Sequence, residues 1–423
     1  MKKQAIVFSG QGSQYINMGN QFFKESKIGK KYLKEASSIL EYDLEKIIRD
    51  DVNKSLKFTE YTQPALLTYS VAQFFDLKNN FNINPIIMAG HSLGEYAALI
   101  CSGSLSFKDG LNLVSNRGRL MSHSSSKPGS MVAVRNFNLE NLKYIVEEAR
   151  ENSKKVCISN INNKSNIVIS GYTPHIKEIV RVIERQQGEC IYLNVSNAFH
   201  SDLMEEANNK FNEYLKSTQF LSPKVEVISN IDGLPYKNER EIQEKLSKQM
   251  VECVDWRATC NYINNSSADF IIECGAKNQL KKLYEQEYKE KSLPVFSMDI
   301  GEDKLALKDY LNAEGVEIED LSEYSFVGRV LGIIASTKNN NWDNEEFEKG
   351  VITPYKKLQN IAKNELKEND YDSHLKILSE LKDILEVKKV PIEEQVSKIN
   401  FLLKTSKINK YTEELMEDIF KKE

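Results

Sequence analysis

The sequence has little of what metal sites, disulfide frameworks and membrane anchors are built from. Its five histidines, His91, His123, His175, His200 and His374, are unclustered. Its six cysteines, Cys101, Cys157, Cys190, Cys253, Cys260 and Cys274, are scattered and form no CxxC pair. Neither a structural zinc nor a disulfide scaffold is expected, and the thiols read as core residues. No apolar run approaches the roughly 18 residues that span a bilayer; the run Val330 to Ala335 is far shorter. Met1 to Phe8 lacks the long apolar region and small-residue cleavage site of a secretory signal. A cytoplasmic protein with no membrane attachment is the expectation. The formal net charge of -4, with no basic stripe, leaves nucleic acid without a surface to bind.

What is present is a core. In a chain of 423 residues, 40% hydrophobic content suffices for one large core and one or two smaller ones. Gln4 to Phe8 reads as a buried strand leading into the loop Ser9-Gly10-Gln11-Gly12-Ser13-Gln14. Pro85 to Ala89 reads as a second strand, ending at Gly90-His91-Ser92-Leu93-Gly94, and a helix opens behind it. Strand, sharp turn and helix in that order begin an α/β architecture.

Between about Lys127 and Val195 the pattern changes. Strands are expected at 130–134, 156–159, 166–170 and 189–195, with helices at 139–149 and 174–186. That β-α-β-β-α-β order is ferredoxin-like. Further strands at 225–229, 270–272 and 293–298 return the chain to the large body. The expected division is therefore 1–126 with 198–319 as a discontinuous large domain, 127–197 as a small insert, and 320–423 as a helical extension. In that extension Leu375, Leu378, Leu381 and Leu385 keep helical spacing, and two such helices alone would have a thin core.

Gly90-x-Ser92-x-Gly94 has the spacing of a nucleophile elbow, in which small residues permit a turn that lifts the serine oxygen above the sheet. A serine nucleophile needs a base. His91 adjoins the turn but should diverge from Ser92, His175 lies on a helix of the insert, and His374 lies in the polar tail. His123 sits near the junction of the domains. His200 stands where the insert returns to the large body, a natural cleft, and is the best candidate. Arg117 shares a helical face with Leu113, Val114 and Met121. A charge on a buried face needs a partner, and two remain open: an internal carboxylate, or a substrate acid held by the guanidinium fork.

Four stretches in order carry a family resemblance: Gly10-Gln11-Gly12-Ser13-Gln14, Gly90-His91-Ser92-Leu93-Gly94-Glu95-Tyr96, Arg117-Gly118-x-x-Met121 and Ala198-Phe199-His200-Ser201-x-x-Met204. Over about residues 4 to 300 the sequence resembles the malonyl-CoA:acyl carrier protein transacylases, which include the acyltransferase domains of fatty acid and polyketide synthases. The resemblance implies a hydrolase-like α/β large domain with an inserted ferredoxin-like small one. It implies Ser92 as nucleophile, His200 as base, Arg117 as the carboxylate-binding group, and Gln11 with the Leu93 amide as the oxyanion site. Gln249 matches the glutamine whose backbone carbonyl orients the base. Asn197 and Phe199 match positions tied to acyl choice, Phe199 being the bulky malonyl-type residue.

The implied activity is ping-pong malonyl transfer from malonyl-CoA to a carrier protein. It needs no resident cofactor or metal, since phosphopantetheine belongs to the substrates. Departures from the family pattern are Cys253 and Asp255, where proline and arginine are usual, and Glu273-Cys274-Gly275-Ala276-Lys277 in place of Glu-x-Gly-Pro-Gly. The tail stretches Thr337-Lys338-x-x-x-Trp342-Asp343 and Gly350-Val351-Ile352-x-Pro354-Tyr355 resemble an extension of free-standing acyltransferases that serve modular polyketide synthases. A thioester hydrolase that clears misloaded carriers, and a catalytically idle docking protein, are the rival readings. A site completed within one chain makes a monomer the expectation.

Overall fold

The computed structural model describes residues 2–51, 54–81, 83–124, 128–195, 197–289, 292–312, 326–361, 371–404 and 412–420. The expected boundaries at 126/127 and 319/320 lie outside the described residues. The chain forms two compact units, 1–299 and 300–423.

The first unit is organised by strands β1 (Gln4–Phe8), β2 (Pro85–Gly90), β7 (Glu226–Ile228), β9 (Phe270–Cys274) and β10 (Val295–Ser297). They lie in the order β10-β9-β1-β2-β7, all parallel. Every residue of β1 is buried, Gln4 included. Burial without alternation belongs to parallel sheets covered on both faces. Helices α1 (Thr59–Asn80), α2 (Leu93–Cys101) and α3 (Phe107–His123) belong to this layer structure. Periodicity does not announce α1, because polar and apolar residues from Thr62 and Gln63 to Leu77 are buried around its whole circumference.

Within the same unit, β3 (Gly129–Arg135), β4 (Val156–Asn163), β5 (Asn166–Tyr172) and β6 (Glu189–Tyr192) make an antiparallel sheet in the order β6-β3-β5-β4. Helices α4 (Leu139–Glu151) and α5 (Thr173–Arg185) complete the ferredoxin-like order. Val132, Val134, Ile167 and Ile169 share a core with Ile145, Ile179 and Ile183. One strand was not foreseen. Val254–Asp255, β8, pairs parallel to β4 and adds a fifth strand from well beyond the insert. Two residues carry no readable pattern, so the sequence marks no strand there. The remaining helices of this unit used below are α6 (Glu239–Gln249) and α7 (Gln279–Glu287).

The second unit, 300–423, is more than a pair of thinly cored helices. Helices α8 (Phe326–Ser336), α9 (Thr353–Ile361), α10 (Tyr371–Val387) and α11 (Ile392–Lys404) enclose a core of their own. It is centred on Val330, Leu358, Leu378, Leu381, Leu385 and Leu402. All six cysteines are free thiols. Among the described residues no helix is long and apolar enough to cross a membrane, and no acidic, histidine or cysteine cluster could hold a metal ion.

Candidate active site

At the end of β2 the chain reverses into α2 through Ser92, whose backbone sits at φ 50° and ψ -101°. Side chains rarely adopt that region, and such strain persists only where the surroundings enforce it. Both flanking glycines are sterically required. A Cβ on Gly90 would lie 1.9 Å from the carbonyl carbon of Gly94, and one on Gly94 would lie 2.1 Å from the Phe8 oxygen. Asn230, just past the end of β7, braces the turn. Its Oδ1 accepts from the Ser92 amide at 2.6 Å, and its Nδ2 donates to the Gly90 carbonyl at 2.7 Å.

The base is His200, also at positive φ (55°) and buried. Its Nε2 lies 2.9 Å from Ser92 Oγ, and its Nδ1 lies 2.7 Å from the Gln249 carbonyl oxygen. A carbonyl only accepts, so Nδ1 carries the ring proton and Nε2 presents its lone pair to the serine hydroxyl. Gln249 is the last residue of α6, where carbonyls have no intrahelical donor, which leaves its oxygen available for this role. Burial, and then the nearby Arg117 charge, hold the His200 pKa down to about 3. The ring is therefore neutral at ordinary pH. The other histidines lie apart from Ser92 Oγ. His91 pairs with Asn162, His123 lies beside Glu60, His175 accepts from the Lys155 amide, and His374 packs on Phe326.

Arg117 is 1% exposed, and α3 delivers it to the same spot. Its Nη2 donates to Ser92 Oγ and to Gln249 Oε1, both at 2.9 Å, and its Nη1 donates to Gln63 Oε1 at 2.9 Å. The guanidinium lies 5.5 Å from the centre of the Tyr96 ring. Among the described residues no carboxylate is within bonding distance of it. The internal-partner alternative is thus met by neutral oxygens, and the cation has no directly bonded counter-charge. Glu95, on α2 and fully buried, is the nearest acid that influences it. Burial pushes the Glu95 pKa up to about 7, opposed by donors from Tyr236, Gln249 and the Asn230 amide and by the Arg117 charge. Four converging positive or donor groups favour the carboxylate form.

The expected oxyanion groups stand at the rim of this cluster. The Ser92, Gly94 and Glu95 amides have acceptors, whereas Leu93, first residue of α2, has none among the described residues. A first-turn amide pointing out of a helix suits developing negative charge. Gln11 Nε2 donates to Thr59 Oγ1 at 3.0 Å. Phe199 is buried beside His200 in the chain. Asn197 is buried too. Its Nδ2 donates to the Met121 and Ser122 carbonyls at 3.0 and 3.3 Å, capping the helix that carries Arg117.

Three members of this constellation escaped the sequence reading: Gln63, Glu95 and Asn230. Glu95 had a signal, being the lone acid in a helix whose nine residues are all buried. Glu273, which keeps the glutamate of the family pattern, and Asp255, which departs from it, both serve helix N-termini. Glu273 accepts from the Leu280 and Lys281 amides, and Asp255 from the Ala258 amide.

Against known proteins, the acyl transferase domain family matches residues 5–325. A malonyl CoA-acyl carrier protein transacylase of Bacillus subtilis (strain 168) is 35% identical over 286 residues, which are 67% of this chain and 90% of that protein. The polyketide biosynthesis protein PksE of the same strain is 36% identical over 259 residues, 61% of this chain and 33% of that longer protein. A type II polyketide synthase acyl-carrier protein in complex with its malonyl-transacylase, PlMCAT:AntF, contains a similar fold. Its TM-score is 0.69 at 28% identity, over 73% of this chain and 99% of that one.

Proposed function

The chain belongs to the acyl transferase domain family, and from that premise we propose how its own residues perform the reaction. That reaction is transfer of a malonyl group from malonyl-CoA to an acyl carrier protein. Ser92 Oγ attacks the thioester carbonyl while its proton passes to His200 Nε2. Gln11 Nε2 and the Leu93 amide hold the oxyanion. The C–S bond breaks, the proton goes to the departing thiolate, and malonyl-Ser92 remains. The carrier's phosphopantetheine thiol then gives its proton to His200 and attacks the ester, and Ser92 Oγ takes the proton back. In the free protein Arg117 rests partly on Ser92 Oγ. A malonyl carboxylate competes for those hydrogens, which frees the serine lone pair for attack.

The observation that carries this reading is a fully buried arginine beside the nucleophile with no bonded counter-charge. Hydrogen bonds to charged groups contribute about 1.5–3 kcal/mol, and a two-pronged pair contributes at the upper end. Arg117→Ala therefore costs roughly tenfold to a few hundredfold more in malonyl transfer than with acetyl-CoA, which has no carboxylate. Arg117→Lys restores only part of the loss. Carrier acylation with both donors, with free acid followed in parallel, decides the matter. Equal losses on both donors would make Arg117 structural, and dominant free acid from the wild type would favour the hydrolase. The same assay tests Phe199, whose bulk beside the site should make methylmalonyl-CoA the poorer donor.

We assign the discontinuous body 1–126 with 198–299 to catalysis, 127–197 to the insert, and 300–423 to docking of the carrier. Trp342 supports the last assignment. It is 88% exposed, whereas Tyr355 packs against the core of that unit. Its loop is fastened by Asn340 and Asn341, which donate to backbone carbonyls of Lys388, Lys389 and Val387. A large ring displayed from a fixed loop suits an interface anchor. Trp342→Ala should leave self-malonylation unchanged and weaken transfer to the cognate carrier. Unchanged carrier transfer would remove the assignment. A cytoplasmic setting follows from the donor, a multiply charged thioester that does not cross membranes unaided.

A further inference from the structure

Four buried or half-buried side chains beside Ser92 form a chain of hydrogen bonds that runs in one direction. Arg117 Nη1 donates to Gln63 Oε1 at 2.9 Å, Gln63 Nε2 donates to Gln11 Oε1 at 3.3 Å, and Gln11 Nε2 donates to Thr59 Oγ1 at 3.0 Å. An amide side chain can be turned end for end, so its orientation must be set by its partners. Thr59 sets nothing, because a hydroxyl donates or accepts equally well. Arg117 does, because a guanidinium has donors and no acceptor. The Gln63 atom facing it must be oxygen. Gln63, 1% exposed, then offers only its NH2 to Gln11. Gln11 must answer with its carbonyl, so its own NH2 is left facing Thr59 and the site. One of those hydrogens is bound to Thr59, and the second is available to an oxyanion.

We infer that Gln63 is a positioning residue that transmits the donor-only character of Arg117 to Gln11 and so keeps the Gln11 NH2 turned toward the oxyanion. The same logic holds on the other side of Arg117. There the acceptor-only Glu95 takes a hydrogen bond from Gln249 Nε2, and Gln249 Oε1 consequently faces Arg117 Nη2. The group that recognises the acyl carboxylate and the group that stabilises the reacting carbonyl are thereby parts of one polar chain. The inference rests on the reading of Gln11 as an oxyanion donor.

Gln63→Glu is the informative variant. The new carboxylate still accepts from Arg117 but cannot donate to Gln11, so Gln11 turns its carbonyl toward the reacting centre. Loss of one oxyanion donor typically lowers kcat on the order of 10²–10³-fold. Self-acylation rates are measured for Gln11→Ala, Gln63→Glu and the double variant, with malonyl-CoA and with acetyl-CoA, and thermal unfolding is followed for each. The cycle is read with acetyl-CoA, because the new carboxylate also competes with the malonyl group for Arg117. The expected result there is a comparable loss in both single variants, with the double variant no worse than Gln11→Ala, and with malonyl-CoA an additional loss in Gln63→Glu. Retention of wild-type rate by Gln63→Glu while Gln11→Ala is impaired overturns the relay alone, as do losses that multiply in the double variant. A fully active Gln11→Ala overturns the oxyanion reading and the relay with it. If Gln63→Glu does not fold, Gln63→Met, similar in length and without polar ends, replaces it in the cycle. A partial loss that disappears on the Gln11→Ala background supports the relay, and no loss overturns it.

Discussion

Mixed with malonyl-CoA alone, the wild-type protein acquires a covalent malonyl group detectable by intact mass, and Ser92→Ala acquires none. The expected fall in turnover is on the order of a millionfold, the scale seen when the serine of a serine–histidine pair is removed. The magnitude follows from what Ser92 concentrates in one place. Its oxygen is raised on a strained turn that Gly90 and Gly94 make possible, and it donates to His200. No other serine or cysteine among the described residues is bonded to His200 Nε2. Malonylation that persists in Ser92→Ala would place the nucleophile elsewhere.

Replacing His200 is nearly as severe. His200→Ala should slow both half-reactions by on the order of 10⁴-fold or more, because one base takes the proton from Ser92 and later from the carrier thiol. Loss of only one half-reaction would mean that a second base serves the other. The imidazole has a signature of its own. Followed by NMR from about pH 8 to about pH 5, it should not titrate near the usual value of roughly 6.5, because burial and the Arg117 charge depress its pKa to about 3. Arg117→Ala removes the second of those causes and should raise it. The unfolded chain protonates this histidine below about pH 6.5, and the folded one does not until about pH 3. This group therefore lowers stability progressively as pH falls through that window.

How much of this was written plainly in the sequence depends on the physical signal each part leaves. Buried strands announce themselves by continuous apolar runs, and β1 occupies the stretch expected of it. The insert alternates short strands and amphipathic helices, so its order could be read directly. By contrast α1 is buried on every side, and polar residues such as Gln63 serve inward, which erases the stripe on which helix reading depends. Ser92, His200 and Arg117 were visible because each is an anomaly: a serine between glycines, a histidine at a junction, and a cation on an apolar face. Asn230 and Gln63 are not anomalous in composition. Their part in the site arises from contacts across 138 and 54 residues of chain, and nothing local records that.

β8 has a consequence for anyone who recombines acyltransferases. A chimera cut at about 127 and 197 would carry away β4 but leave its parallel neighbour, Val254–Asp255, on the recipient. The graft would also forfeit the bonds from the β4–β5 turn to α7, where Asn163 Nδ2 donates to the Leu283 carbonyl and the Lys164 amide to Glu287. A transplanted insert would present the freed side of β4 as an unpaired strand edge, which invites association with other chains. The transferable cassette is therefore discontinuous: the insert together with matched residues around 254–255 and the facing surface of α7.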